Sequence, residues 1–377
     1  MDKYIPYGRQ CIEDDDIEAV IEVLKSEYLT TGPKIEEFEH VVAEYVGAKY
    51  AVAVSNGTAA LHAACLAAGV GPGDEVITTP ITFAASANCV LYCGGKPIFA
   101  DIDPKTYNID PADIKKKITS RTKAIISVHL AGQPCDMDEI LKIAKENQLI
   151  VIEDGAHALG AEYKGKRIGS ISTMTTFSFH PVKQITTGEG GMITTDDEEL
   201  YQKLLLFRAH GITRELSLLE KNEGPWYYEQ KLLGYNYRIT DIQCALGISQ
   251  MKKLERFLSR RRELAERYNE AFADDKDIVI PYQLNATKSA WHLYLIQLVH
   301  HDRKEIFEKL RKLGIGVNIH YIPVYKHPYY QNNGYDKVEC RNAEYLYENM
   351  ITLPLYPLLS YEDQDLVIRN VKSIIHI

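Results

Sequence analysis

Between residues 50 and 154, short apolar runs alternate with stretches whose apolar positions recur every three or four residues. "YAVAVS" (50–55), "EVITTP" (75–80), "KPIFADID" (96–103), "TKAIISVHL" (122–130) and "LIVIED" (149–154) read as strands. "TAALHAACLAAG" (58–69), "FAASANCVLYCG" (83–94) and "MDEILKIAKENQ" (137–148) read as helices. Strands this short and apolar, alternating with helices, predict a mainly parallel α/β sheet covered on both faces. In such sheets ligands bind at the carboxyl ends of the strands.

The pattern changes on either side of this block. Residues 14–26 set Ile17, Val20, Ile21 and Leu24 on one face of an amphipathic helix with acids in its first turn. "SLLEKNEGPWYYEQ" (217–230) reads as a loop, and residues 249–272 as a long helix with Met251, Leu254, Leu258, Ala265, Tyr268 and Phe272 on one side. Beyond it, "WHLYLIQLV", "IGVNIHYIPVY" and a helix opened by Ser360-x-x-Asp363 predict a smaller C-terminal α+β domain. The expected division is 1–248 for a large domain with an N-terminal substrate segment and 249–377 for the small one. The run Arg260 to Arg262 is expected to be a solvated helix face, since acids flank it.

Composition narrows the classes. A chain of 377 residues suits about two domains. A net charge of −9 argues against a general nucleic-acid binder, which carries a basic footprint. The chain opens with no basic-then-apolar signal pattern, and "LIVI" is far too short to span a bilayer, so a soluble cytoplasmic protein is expected. The cysteines (Cys11, Cys65, Cys89, Cys93, Cys135, Cys244, Cys340) are scattered without a C-x-x-C pair, which favours reduced core thiols over zinc or redox chemistry.

Three pieces fall at strand ends or helix starts. In "VSNGTAAL" a strand ends at Val54 and a helix begins near Thr58, so Gly57 and Thr58 offer amides to a phosphate; Ser55 or Asn56 as a plain helix cap explains the piece equally well. In "LIVIEDGAHALG" the strand ends in Glu153 and Asp154, and a carboxylate there needs a partner, whether a ligand or a structural one. In "TTFSFHPVKQITTGEGGMITTD" (175–196) Lys183 stands between a proline turn and a glycine-rich segment, far from the charged helix faces where lysines usually sit. Alone it would be an ion-paired lysine; partly desolvated, it would be a nucleophilic amine. Phosphate donors, a buried acid and a lysine together are what pyridoxal phosphate requires.

At these residues the chain resembles the DegT/DnrJ group of sugar-nucleotide aminotransferases, pyridoxal-phosphate enzymes of fold type I. The resemblance runs through "EVLKSEYLTTGPKIEEFE", "SNGTAAL", "TTPITFAASAN", "EDGAHALG", "FSFHPVKQITTGEGG", "FRAHGI", "GYNYRITDIQCALG" and "VNIHYIPVY", in that order. It implies that Lys183 is the Schiff-base lysine and Asp154 the partner of the pyridinium nitrogen. Phe83 would stack on the ring, with His157 beside it where relatives carry Gln or His. Gly57, Thr58 and Ser178 would cradle the phosphate. Asn236 would reach the phosphate held by the other subunit, which implies a homodimer with shared sites. Tyr7, Glu27, Tyr28, Leu29, Thr30, Asn56, Ser178, Asn236 and the run His320, Tyr321, Ile322, Pro323 match segments that meet the nucleotide-sugar. Position 56 is Asn where relatives often carry Ser or Gly.

Around the lysine, the sequence is most similar to transaminases that make UDP-4-amino-4,6-dideoxy-N-acetyl-β-L-altrosamine, toward pseudaminic acid. The implied reaction takes an amino group from L-glutamate and delivers it to C4 of a UDP-linked 4-keto-6-deoxy sugar. The alternatives are a dTDP- or GDP-sugar substrate, or a non-enzymatic pyridoxal-phosphate-binding regulator. Related dehydratases carry His at the lysine position, and Lys183 speaks against that class.

Overall fold

The computed structural model describes residues 4–376, so Met1 to Lys3, part of the N-terminus read above for a signal, lie outside the described residues. Helix α1 (Asp14–Leu24) is opened by a reciprocal cap between Glu13 and Asp16, and α2 (Pro33–Val46) by Pro33 in its first turn. Strand β1 (Tyr50–Val54) leads into α3 (Gly57–Ala67), β2 (Glu75–Thr78) into α4 (Ala85–Tyr92), and β3 (Lys96–Phe99) into α5 (Pro111–Lys117). Then come β4 (Thr122–Val128), α6 (Met137–Asn147) and β5 (Ile150–Asp154), followed by a small hairpin, β6 (Glu162–Tyr163) and β7 (Lys166–Arg167). Strands β8 (Met174–Ser178) and β9 (Gly191–Thr195) bracket the segment that carries Lys183.

The main sheet has the order β1-β9-β8-β5-β4-β2-β3. Pairing is parallel from β3 to β8, while β9 runs antiparallel to both β1 and β8. The mainly parallel α/β architecture follows the alternation of runs in the sequence. Register brings Val128 beside Asp154 and Asp154 beside Thr176, so β4 and β5 end level at their carboxyl edge while β8 runs on to Ser178. Helix α7 (Glu198–Arg208) covers β1 and α3, and α8 (Asp241–Met251) packs on α1 and α2.

Helix α9 (Leu254–Phe272) turns Leu264, Tyr268 and Phe272 into a second core, closed by strands Tyr294–Leu298 and Met350–Leu353 and helix Tyr361–Ile375. Ile5 also joins this core, so the first residues described belong to the C-terminal half in space. Among the described residues no helix is long and apolar enough to cross a membrane. All seven cysteines are free thiols.

Three details depart from the sequence expectation. The long helix does not begin at 249: residues 249–251 close α8, and the chain bends at Lys252 and Lys253 before α9 starts. The apolar stripe of α1 does not face its own core, since Ile17, Ile21 and Leu24 are 51%, 40% and 55% exposed. A polar contact orients that helix instead: Asp16 is fully buried and receives Gln250 Nε2 at 2.7 Å and Lys253 Nζ at 2.8 Å. A carboxylate buried at this point needs partners within the protein, and Gln250 and Lys253 supply them. Lastly, Arg261 is not solvated; it is buried against backbone carbonyls, as described below.

Gly247 on α8 has room for no side chain. A Cβ there would meet Phe38 Cε2 and Cζ at 2.7 Å and Thr187 Cγ2 at 2.9 Å. Overpacking of this kind costs about 1–3 kcal/mol. Gly247→Ala should therefore lower the urea midpoint of unfolding with little change in slope; an unchanged midpoint would show that Phe38 yields freely.

Candidate active site

Strand alternation separates the two carboxylates at the end of β5. Glu153 is fully buried on one face, 2.8 Å from His129 Nε2 and accepting from Thr175 Oγ1 and Ser172 N at 3.1 Å. It is the structural carboxylate. Asp154 points the other way, into a cavity, where it accepts Ser86 Oγ at 2.6 Å and Ala156 N at 3.1 Å. Both faces of the strand are thus answered, each by a different chemistry.

Lys183 reaches the same cavity from the loop after β8. That loop is pinned by Phe179 N to Gly190 O at 2.9 Å, Thr187 N to Phe179 O at 3.0 Å and Lys183 N to His180 O at 2.9 Å. Burial lowers the lysine's pKa, Asp154 opposes this and Arg261 adds to it, leaving the amine at about 8. Roughly a tenth of it is therefore neutral and nucleophilic at pH 7, a share that rises steeply above that pH.

Four histidines line the cavity with this amine, the exposed His180 and the buried His157, His292 and His320. His157 Nε2 lies 3.1 Å from the Tyr321 hydroxyl, and its Nδ1 has no partner among the described residues. Its ring centroid is 4.3 Å from that of His292, whose Nδ1 is likewise buried and unpartnered. His320 Nδ1 contacts Thr352 Oγ1 at 2.8 Å. Burial first, then neighbouring positive groups including Lys183, hold His157 and His292 far below the ordinary histidine value and bring His320 down to about 3. All three are neutral in the working range.

At the other end of the cavity is the start of α3. Asn56 is its cap, accepting Ala59 N at 2.8 Å, and Ala60 N bonds to Asn56 O, which leaves the Gly57 and Thr58 amides facing the space. A Cβ at Gly57 would meet Ser178 Cβ at 2.9 Å, so glycine alone lets the β8 hydroxyl approach the helix terminus. Amides at a positive helix end beside a hydroxyl form an anion cradle.

The cavity has a volume of about 920 Å³. Tyr7, Asn56, Gly57, Thr58, Phe83, Asp154, His157, Ser178, Lys183, His320 and Tyr321 all line it. Phe83 stands 63% exposed at its edge, free to lie over a planar ring. Other predicted residues lie elsewhere. Asn236 is exposed, and so are Glu27, Tyr28, Leu29 and Thr30. Ile322 is exposed beyond Tyr321, and Pro323 is buried. None of these seven lines the cavity of its own chain. Sequence reasoning did not find Ser86, His292 or Arg261. Ser86 has a faint signal, three residues after Phe83 at a helix start, while His292 and Arg261 sit in segments that read as ordinary core and surface.

An anion cradle, an acid facing a planar slot and a nucleophilic lysine are the contacts that pyridoxal phosphate needs. The sequence profile of the DegT/DnrJ/EryC1/StrS aminotransferase family matches residues 10–372. The chain belongs to that family. Spore coat polysaccharide biosynthesis protein SpsC of Bacillus subtilis is 44% identical over 378 residues, covering 99% of this chain and 97% of its own. The UDP-4-amino-4,6-dideoxy-N-acetyl-beta-L-altrosamine transaminase of Campylobacter jejuni is 38% identical over 377 residues, covering 98% and 97%. The structure of Helicobacter pylori PseC, an aminotransferase involved in the biosynthesis of pseudoaminic acid, matches with a TM-score of 0.93 at 36% identity, covering 99% of this chain and 100% of that one. Sugar aminotransferase Spr1654 of Streptococcus pneumoniae matches in its PLP and PMP forms with TM-scores of 0.93 and 0.94, at 33% identity and 99% coverage of both chains. This DegT-family chain is a sugar aminotransferase, and its cofactor is pyridoxal phosphate.

Asp154→Asn keeps the shape: its Oδ1 can still accept from Ala156 N, its Nδ2 must instead donate to Ser86 Oγ, and it brings no negative charge to the cavity. The half-reaction with the amino donor should slow by on the order of 10²–10³-fold, with the melting temperature nearly unchanged. Stopped-flow absorbance checks this; a near-native rate would make Asp154 structural like Glu153.

Proposed function

We propose that this enzyme transfers the amino group of L-glutamate to C4 of a UDP-linked 4-keto-6-deoxy-N-acetyl hexose. The product is UDP-4-amino-4,6-dideoxy-N-acetyl-β-L-altrosamine, on the way to pseudaminic acid. Near-full-length identity to the Campylobacter transaminase carries this reading, supported by the PseC likeness. Pyridoxal phosphate supplies an electron-accepting ring and the carbonyl that carries the amino group between substrates. Gly57, Thr58 and Ser178 bind its phosphate, Asp154 holds the proton on its ring nitrogen, and Phe83 and His157 flank the ring. Lys183 removes the Cα proton of glutamate and returns one at C4 of the sugar. The neutral His157, fixed by Tyr321, offers a hydrogen bond without adding a competing charge. Tyr7, Asn56, His320, Tyr321, Ile322 and Pro323 belong to the sugar side of this reading.

A second reading rests on the higher identity to SpsC, and makes the product an amino sugar for a surface polysaccharide. Both readings share the chemistry and differ in the sugar. Offering the purified enzyme glutamate with UDP-, dTDP- and GDP-linked 4-keto sugars separates them: the UDP-linked N-acetyl sugar should give the highest kcat/KM. A dTDP or GDP sugar preferred by tenfold or more would overturn the substrate assignment and leave the transaminase class standing.

We infer further that the enzyme is a homodimer with shared sites, built from a large domain (1–248) and a small one (249–377). Asn236 and residues 27–30 are exposed away from their own cavity, and the exposed Ile17, Ile21 and Leu24 need a cover. The described cavity lining contains no arginine, although phosphate and diphosphate groups need cations. Seven free thiols suit a reducing, cytoplasmic compartment. The test mixes two inactive variants, Lys183→Ala and Asn236→Asp. With shared sites, each mixed dimer has one site with both defects and one with neither, so activity returns to at most about half of the mixed dimers' sites. No recovery despite confirmed subunit exchange would assign Asn236 to its own chain.

A further inference from the structure

Arg261 lies on α9 and forms no part of the cavity wall, yet it is only 1% exposed. A guanidinium taken out of water without a carboxylate beside it is costly, and such a group persists where its hydrogen bonds hold something in place. Four carbonyls answer it. Nη1 donates to Leu355 O at 2.9 Å, His292 O at 3.2 Å and Trp291 O at 3.4 Å, and Nη2 donates to Val182 O at 3.4 Å. Its Nε finds no partner among the described residues.

Two of those carbonyls belong to the site. Val182 immediately precedes Lys183, and His292 carries the ring that packs on His157. The other two belong to segments of the C-terminal core. The backbone of His292 is held from its other side as well, with its N–H donating to Ala131 O at 2.8 Å. A planar fork can bind several carbonyls at fixed angles, and an ammonium cannot.

We propose that Arg261 is a positioning residue for the amino-transfer reaction. It locks the Val182–Lys183 peptide and the His292 backbone into one unit, so that the amine and the histidine pair keep a fixed relation across the two cores. This rests on the aminotransferase reading of the site.

The same cation also acts on the amine. The charged and titratable groups around Lys183 are Asp154 from β5, His157 just after it, His180 and Glu189 from its own β8–β9 segment, His292, His320 and Tyr321 from the C-terminal half, and Arg261 from α9. The three buried cavity histidines are neutral, and the charges that act on the amine most strongly are those of Asp154 and Arg261. Asp154 raises its pKa and Arg261 lowers it. Removing the guanidinium therefore moves the amine upward from about 8.

The experiment compares Arg261→Lys and Arg261→Met in the full-length chain. The pH midpoint of acylation of Lys183 is read by peptide mapping after removal of the cofactor. The loaded enzyme gives kcat and KM per cofactor-bearing site. Arg261→Met should shift the midpoint upward by on the order of one pH unit. Arg261→Lys keeps the charge, so its midpoint should stay near that of the wild type. Its kcat should still fall by on the order of 10–10²-fold, with a smaller change in KM, because the fork is lost. A lowered melting temperature with wild-type kcat and midpoint in both variants would reduce Arg261 to a packing residue and overturn the proposal. If Arg261→Met does not fold, an unchanged kcat in Arg261→Lys overturns it alone. If the wild type turns over no keto sugar, the substrate assignment fails, and the acylation midpoint still reads Arg261.

Discussion

A carboxylate at the end of a strand covered on both faces is far from water, and β5 ends in two of them. Each must be answered within the protein, because an unpaired buried charge costs several kcal/mol. Glu153 is answered by a complete set of protein donors, and nothing remains for it to do. Asp154 receives two short local bonds and leaves its outer side toward a cavity. The rest of the site is arranged around that difference: β4 ends level with Asp154, β8 runs past it to carry Ser178 to the same edge, and the loop that follows brings Lys183 there.

The electrostatics of the cavity follow from burial more than from pairing. Three buried imidazoles and an amine share a space with Asp154, with Glu189 and His180 also on its wall, and low polarity pushes the buried imidazoles and the amine toward their neutral forms. A neutral amine can attack a carbonyl, and neutral imidazoles can orient a ligand without repelling it. Arg261 belongs to the same balance: it cannot neutralise itself at ordinary pH, so it takes four carbonyls as partners and lends its field to the lysine next to one of them.

The site is also a junction. Asp154, Lys183 and the cradle come from the large sheet, while His292, Asn318, His320 and Tyr321 arrive from beyond α9. Hydrogen bonds cross between these groups, from Tyr321 to His157 and from Arg261 to Val182. Any motion of one half against the other would disturb the chemistry directly, which gives such polar links more consequence than their individual strength.

The alternation of strands and helices, the glycine at the start of α3, the acid pair and the lone lysine were legible in the sequence. They depend on local periodicity and on residue types that few other settings tolerate. Other features were not. Which of Glu153 and Asp154 faces the cavity is a matter of strand parity and sheet packing. The exposure of Ile17, Ile21 and Leu24 follows from where Asp16 finds Lys253, well over two hundred residues away. Arg261 looks like surface because acids flank it along the helix, yet the helix turns it toward carbonyls that sequence spacing cannot bring together. The sequence by itself determined which chemical groups were available and which elements would carry them. Only the tertiary structure decided which of them meet, because a buried charge chooses its partners by distance in space.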